Sequence, residues 1–191
     1  NLSTEVRYAV NDVDFTQTPS GGLVFGEFRV ETDEVDVFFG ADDSRQANDL
    51  DYTVTNFVFK SSLVIDNHTF TFGFENENYD VYNLFYQHTL TETRFGSIDD
   101  FAAGNAYQVE YGNHFTHDSN LVGDYLDYDV GTMYLMDEFS VNDKLNVVLG
   151  LRYEYYETDS IPQLNTDFVD AFGFANNTTL DGVDLLMPRL G

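Results

Sequence analysis

Cysteine is absent from the 191 residues, which excludes a disulfide framework and any thiolate metal centre. It leaves the compartment open, because many exported bacterial proteins also lack cysteine. Positive charge is scarce: 8 basic residues stand against 34 acidic ones, a formal net charge of -26. Simple repulsion then disfavours nucleic acid and anionic membrane surfaces as partners. No run approaches eighteen consecutive apolar residues, so a helical membrane span is excluded. There is no G-x-S-x-G, no glycine-rich phosphate loop and no Cys/His pair. Carboxylate pairs such as Asp99 and Asp100 occur, but 34 acids bring some together by chance. The chain is therefore not expected to be an enzyme, and no catalytic residue, cofactor or metal site is expected.

What the chain does have is aromatic side chains, 18 Phe and 13 Tyr, in a sequence whose mean hydropathy is only -0.30. Strands that alternate aromatic with polar residues produce that combination. The clearest period lies in 134–156. From Leu145 the apolar residues Leu145, Val147, Leu149, Leu151, Tyr153 and Tyr155 take every second place, with Asn146, Gly150, Arg152 and Glu154 between them. This predicts a strand with one greasy and one wet face. The turn formers Val141, Asn142, Asp143 and Lys144 precede it and a β-rich run precedes them, so a β-hairpin is expected, with strands 130–140 and 144–156.

The rest of the chain repeats this design. Leu2, Thr4, Val6, Tyr8 and Val10 share one face of a strand over 2–13, with Glu5 and Arg7 on the other. Phe57, Phe59, Leu63 and Ile65 stripe a strand over 54–65, and after a tight turn at Asp66-Asn67, Phe70, Phe72 and Phe74 stripe its return over 68–80. Between these lie three long acidic segments expected as loops, 14–52, 80–128 and 157–184. Within the second, Ser97 is placed to cap one helical turn closed by Gly104.

A greasy stripe of roughly twelve residues ending in tyrosines matches a strand that crosses a bilayer, which needs about 9 to 11 tilted residues and carries aromatic girdles at the interfaces. Tight turns at one set of reversals and long loops at the others have the asymmetry of outer-membrane barrels, whose periplasmic turns are short and extracellular loops long. The expected fold class is all-β, an antiparallel up-and-down meander forming part of a transmembrane outer-membrane β-barrel with long extracellular loops. All of 1–191 is expected to belong to that one barrel domain. Leu145, Val147, Leu149, Leu151, Phe70, Phe72 and Phe74 should then face lipid and be exposed. The chain begins without Met and ends at Gly191 just as a further strand is expected to start, so a piece of something longer is expected.

With these strands in place the residues resemble a known family, the TonB-dependent outer-membrane receptors, and within it the Oar-like branch. The resemblance rests on Arg45-Gln46-Ala47-Asn48-Asp49-Leu50, on His68-Thr69-Phe70-Thr71-Phe72-Gly73-Phe74-Glu75 followed by Asn83-Leu84-Phe85, on Tyr134-Leu135-Met136-Asp137-Glu138-Phe139, on Lys144-Leu145 with Leu149-Gly150-Leu151-Arg152-Tyr153, and on Pro188-Arg189-Leu190-Gly191. It implies about five spanning strands of a barrel of about 22, in the bacterial outer membrane, taking part in binding and uptake of a solute. Its partners are then outer-membrane lipid, an unknown solute or protein ligand, and a periplasmic energy-coupling protein reached through a plug domain with no counterpart in this sequence.

Two sets of residues stand out as candidates. Phe38, Phe39, Tyr125, Tyr128, Phe168 and Phe172 sit in or beside the acidic loops as possible extracellular recognition residues. Glu5, Arg7, Arg152 and Glu154 lie on polar strand faces, as a lumen salt-bridge ladder or as a surface lining a plug or solute path. His114 and His117 are read as loop or lumen histidines, since i and i+3 point to opposite faces of a strand. Asp124, Asp127 and Asp129 are read as a solvated acidic loop. The competing reading is a soluble or surface-attached β-rich binding module without transport activity, whose apolar faces pack on each other.

Overall fold

The computed structural model describes residues 1–191, and its chain divides into two compact units. The first comprises 1–12, 53–80 and 126–191, the second 13–52 and 81–125. Ten strands run in order: β1 (Leu2–Thr16), β2 (Glu27–Val30), β3 (Val37–Phe39), β4 (Ala47–Ile65), β5 (His68–Tyr86), β6 (Glu92–Phe95), β7 (Gln108–Glu110), β8 (Asp124–Asn142), β9 (Leu145–Glu157) and β10 (Asp184–Leu190). Two short helices, α1 (Ile98–Ala103) and α2 (Thr166–Phe172), complete the set. No helix is long and apolar enough to cross a membrane.

Six strands form one sheet in the order β1-β4-β5-β8-β9-β10. Cross-strand partners show the antiparallel sense. Thr4 bonds Ser61 and Thr53 bonds Asp12 between β1 and β4. The rings of Phe57 and Phe59 meet those of Phe74 and Phe72 between β4 and β5. His68 meets Asp137 and Asn78 meets Asp129 between β5 and β8. Continuous antiparallel registers join β8 to β9 and β9 to β10. The turn between β8 and β9 is the pair Asp143-Lys144, held by the Lys144 N–H donating to Asn142 Oδ1 at 2.9 Å, with a register shift between Ser140 and Asn142. The turn between β4 and β5 is Asp66-Asn67, where Asp66 takes a positive φ of 53°. Pro188 lies on β10, opposite Leu151 of β9.

Alternation gives this sheet two unlike faces. On one, Leu145, Leu149 and Leu151 are 49%, 45% and 48% exposed, and Leu2, Val6, Tyr8, Phe72, Met133 and Leu135 are exposed beside them. Phe70, Phe74 and Val147 are half-buried, through contact with neighbours within the sheet. No second layer covers the stripe, which is what the lipid reading requires and what a sandwich of two packed sheets would not leave. Residues 145 to 155, at about 3.4 Å each and tilted by about 40°, rise roughly 26 Å, against a barrel apolar band of about 25 Å. Above that height the same face turns polar, with Thr53 on Asp12 and Asn78 on Asp129. On the opposite face Arg152 pairs with Glu154 and lies 3.7 Å from Glu75. Gly73 is needed there, because a Cβ at that position would overlap the Tyr134 ring.

The three expected loops are shorter than their polar sequence suggests. β1 runs to Thr16, β4 starts at Ala47, β5 ends at Tyr86, β8 starts at Asp124 and β9 ends at Glu157, each beyond the expected bounds. Where both faces meet polar surroundings, hydropathy loses its period of two while the backbone ladder continues. The segment after β9 is not wholly irregular: Asn165 caps α2 by accepting from the Phe168 N–H at 3.1 Å, and Gly173 ends it at φ 77°.

The second unit holds a four-stranded sheet, β3-β2-β6-β7. β2 pairs antiparallel with β3 and β6 antiparallel with β7, but β2 and β6 run parallel, Glu27 beside Glu92 and Val30 beside Phe95. Both strands lie in segments expected as loops, 14–52 and 80–128: two excursions of the chain each fold back on themselves and meet side by side. An aromatic cluster seals the sheet, with Phe101 of α1 edge-on to Phe39 and Phe95 at 5.1 Å and Phe28 stacked on Phe39 at 5.4 Å. Ser97 caps α1 by accepting from the Asp100 N–H, and Gly104 closes it.

The two-faced sheet makes a direct prediction. Leu151→Arg in the full-length protein should lower unfolding stability in phospholipid vesicles by roughly 2–4 kcal/mol, the cost of a cation near the bilayer midplane. Asn146→Arg on the opposite face should cost under about 1 kcal/mol. Urea titrations followed by tyrosine fluorescence measure both, and equal costs would show that the stripe does not face lipid.

Candidate functional site

The densest polar arrangement lies in the second unit. It is built on Gln46, which is buried between two excursions and bonded on every side. Its Nε2 donates to the carbonyls of Ala41 (3.0 Å) and Thr91 (2.9 Å), and its Oε1 accepts from the Leu90 N–H at 2.7 Å. Next to it a one-turn 3-10 helix, Asp43–Arg45, places Asp42 and Asp43. The Ser44 hydroxyl and the Arg45 guanidinium both donate to Asp42, holding its carboxyl below the usual range. On the other excursion, His88 takes a φ of 62° and Thr91 one of 100°, and the Thr91 N–H donates to the His88 carbonyl at 3.1 Å. This tight turn delivers His88 and Glu92 to the same place.

The carboxylates there differ in environment. Glu92 is buried but accepts two bonds from Arg94, at 2.7 and 2.8 Å, and that pairing keeps its acidity high against the cost of burial. The same pairing raises the pKa of Arg94. Glu27 is equally buried and has no cation; its one donor is the Asp43 N–H at 3.3 Å. Desolvation, aided by the neighbouring charges of Asp43, Glu92 and Asp42, pushes its pKa up. Beside His88 opens a recess of about 620 Å³ walled by Phe85, Tyr86, Val109 and Tyr111, with Gln87 and Glu110 as polar groups. Aromatic walls with a few acceptors suit a polar, uncharged or cationic solute better than an anion.

The residues singled out from the sequence do not gather in one place. In the second unit Phe39 is part of the aromatic cluster, Phe38 lies under the Arg29 guanidinium at 5.6 Å, and Tyr125 packs on Tyr82 at 4.7 Å. In the first unit Tyr128 stacks on Tyr79 at 4.4 Å, while Phe168 and Phe172 pack on each other and on Phe174. Arg152 and Glu154 form an ion pair, whereas Glu5 and Arg7 on the edge strand β1 are exposed. The backbone does turn at His114 to His117, but the two rings go to different partners, Thr116 and Tyr111. The carboxylates of Asp124, Asp127 and Asp129 also accept from separate partners: the Tyr125 N–H, the Ser160 hydroxyl and the Asn78 amide.

His88, Glu27, Asp43, Glu92 and Glu110 escaped the reading of the sequence, since in a chain this acidic no local spacing singles them out. Gln46 carried a signal: it stands in the Arg45-to-Leu50 motif, where Arg45 and Asn48 hold the same turn through Asp42 and the Ser44 carbonyl. Gln46→Leu should destabilise the second unit by about 2–4 kcal/mol, because it strands two carbonyls and an N–H in a buried place at about 1–3 kcal/mol per group, with partial relaxation. Hydrogen exchange is the measurement: the Leu90 amide should lose protection while β9 amides keep theirs.

Among curated proteins and among solved structures none matches this chain. The family model described as outer membrane beta barrel domain matches residues 4–182. That match spans five of the six strands of the two-faced meander, ending before β10, and it agrees with the exposed apolar stripe, the tight turns and the polar opposite face. The chain belongs to the outer membrane beta barrel domain family, and its place is the bacterial outer membrane.

Proposed function

We propose that the chain is a segment of the barrel of a TonB-dependent receptor of the Oar-like branch, and that it takes part in binding and uptake of a solute across the outer membrane. The observation that carries this reading is the unlike pair of faces on the six-stranded sheet. The apolar face suits lipid, and the polar face, with Arg152 among Glu75, Glu154 and Thr132, suits a water-filled lumen. Glu5, Arg7, Arg152 and Glu154 then line the lumen, where a plug or a passing solute meets them. The second unit, with its acidic recess beside His88, is the recognition surface, and Phe38, Tyr125 and Phe172 are exposed enough to take part in recognition. Its role is binding and passage, not catalysis. A periplasmic energy-coupling protein acts through a plug supplied by sequence outside this segment, and nucleic acid is not a partner. The exposed apolar stripe speaks against a soluble binding module.

The experiment compares cells carrying the full-length protein with cells in which residues 87–123 are replaced by a short Gly/Ser linker, at matched barrel levels in the outer membrane. Depletion of solutes from a defined medium is followed by mass spectrometry, with and without a protonophore. At least one solute should be taken up about tenfold more slowly by the variant, and equally slowly by wild-type cells given the protonophore. Wild-type depletion of every solute by the variant would overturn the recognition role, and uptake indifferent to the protonophore would overturn energy coupling.

A further inference from the structure

His88 in the second unit is surrounded by carboxylates without a directed hydrogen bond to any of them. Its Nε2 lies 3.2 Å from Asp43 Oδ2, 3.3 Å from Glu92 Oε2 and 3.4 Å from Glu110 Oε2. One N–H can point at one oxygen, and a charge-assisted bond is shorter, about 2.7–2.9 Å. Three oxygens from a 3-10 turn, β6 and β7 instead surround the nitrogen at nearly equal distance, and none has the alignment of a hydrogen bond. Ligand atoms held about 2.1 Å from one ion in a tetrahedral shell are themselves roughly 3.4 Å apart, close to the separation of His88 Nε2 from Asp43 Oδ2 and from Glu92 Oε2. The ligand atoms of Asp43, His88 and Glu92 all lie within 4.8 Å of one another, and Asp43 is shared with a second such group, Glu27, Asp42 and Asp43.

Glu27 supplies the independent observation. Its side chain is more than nine-tenths buried, it is aimed at this cluster, and its single donor is a backbone N–H. No guanidinium pairs with Glu27: Arg45 is held by Asp42, and Arg94 by Glu92, itself a member of the cluster. A carboxylate so far removed from water, among like charges and without a cation, is costly, and a divalent ion placed beside it removes that cost.

We infer that Asp43, His88 and Glu92, with Glu110 and Glu27 at the margin, bind a divalent transition-metal ion of the Zn²⁺ or Mn²⁺ class. The donor set decides the class. An imidazole with carboxylates suits Zn²⁺ and Mn²⁺, whereas Ca²⁺ and Mg²⁺ take all-oxygen shells. The ion joins the excursion that carries Asp43 to the one that carries His88, Glu92 and Glu110, so it clamps the second unit. The recess beside His88 provides its entry path.

The test uses the full-length protein in detergent micelles after chelator treatment, with 1 mM Ca²⁺ and Mg²⁺ present throughout to occupy unspecific carboxylates. Zn²⁺ is titrated by competition with a chromophoric chelator, and Mn²⁺ by electron paramagnetic resonance. One equivalent of Zn²⁺ or Mn²⁺ should bind, at least tenfold more weakly in both His88→Ala and Asp43→Asn, with affinity unchanged in the remote control Asp167→Asn. Hydrogen exchange at Leu90 and Thr91 should slow on metal addition in the wild type alone, a readout that also shows whether each variant is folded. Absence of saturable binding in the folded wild type, or binding that His88→Ala and Asp43→Asn leave unchanged, would overturn the site.

Discussion

Pairing of every backbone donor and acceptor along a next-neighbour antiparallel ladder is the constraint on which the rest of this protein depends. In hydrocarbon no water satisfies an open N–H or C=O, so strands can cross only as members of a sheet that satisfies its backbone internally. Once β8, β9 and β10 are locked in register, each side chain is committed to one face, since a slip of one residue would carry Leu149 and Leu151 to the side of Arg152 and Glu154. The two faces are thus consequences of one ladder. Few side chains are deeply buried anywhere, and no large one is fully enclosed. The sheet is organised by hydrogen bonding and by what each face meets, not by a thick apolar core.

The second unit solves a different problem. Its segments lack a long ladder of their own, and it closes them with small devices: the aromatic cluster around Phe101, the parallel seam of β2 and β6, and the Gln46 side chain acting as a length of backbone between two turns. These fasten acidic segments that would otherwise repel one another. The uneven treatment of Glu27 and Glu92, one without a cation and one tied to Arg94, marks where that fastening is electrostatically incomplete. A binding role for the outer segments and a clamp at His88 are compatible, because a recess can present its walls reproducibly only if the turns that carry them are held.

How much of this could be read from residues alone follows from range. The alternation of Leu145 to Tyr155 and of Phe70 to Phe74 is a local pattern, and local sterics make it a strand whatever else the chain does. The tight turns at Asp66-Asn67 and Asp143-Lys144 and the caps at Ser97 and Gly104 are local in the same sense. The face that meets lipid, the meander and an outer-membrane barrel were therefore legible, while the TonB-dependent branch rests on resemblance. The ends of the strands were less so, because beyond Asn78 and Asp129 the hydropathy no longer alternates while the ladder goes on. The six aromatic candidates were chosen for composition; several of them, such as Phe39, serve to pack their own segment.

The amino-acid sequence by itself determined the class of the sheet and its two faces, because a period of two and a short turn are properties of neighbouring residues. Only the tertiary structure decided that β2 lies parallel to β6, that Gln46 spans two turns and that Asp43, His88, Glu92 and Glu110 converge. Apart from His88 and Glu92 those residues lie far apart along the chain, and among so many carboxylates nothing in their local spacing distinguishes the few that the fold draws together. Their meeting is set by closure of long loops, whose entropic cost hardly changes with length and so leaves no periodic mark on the chain.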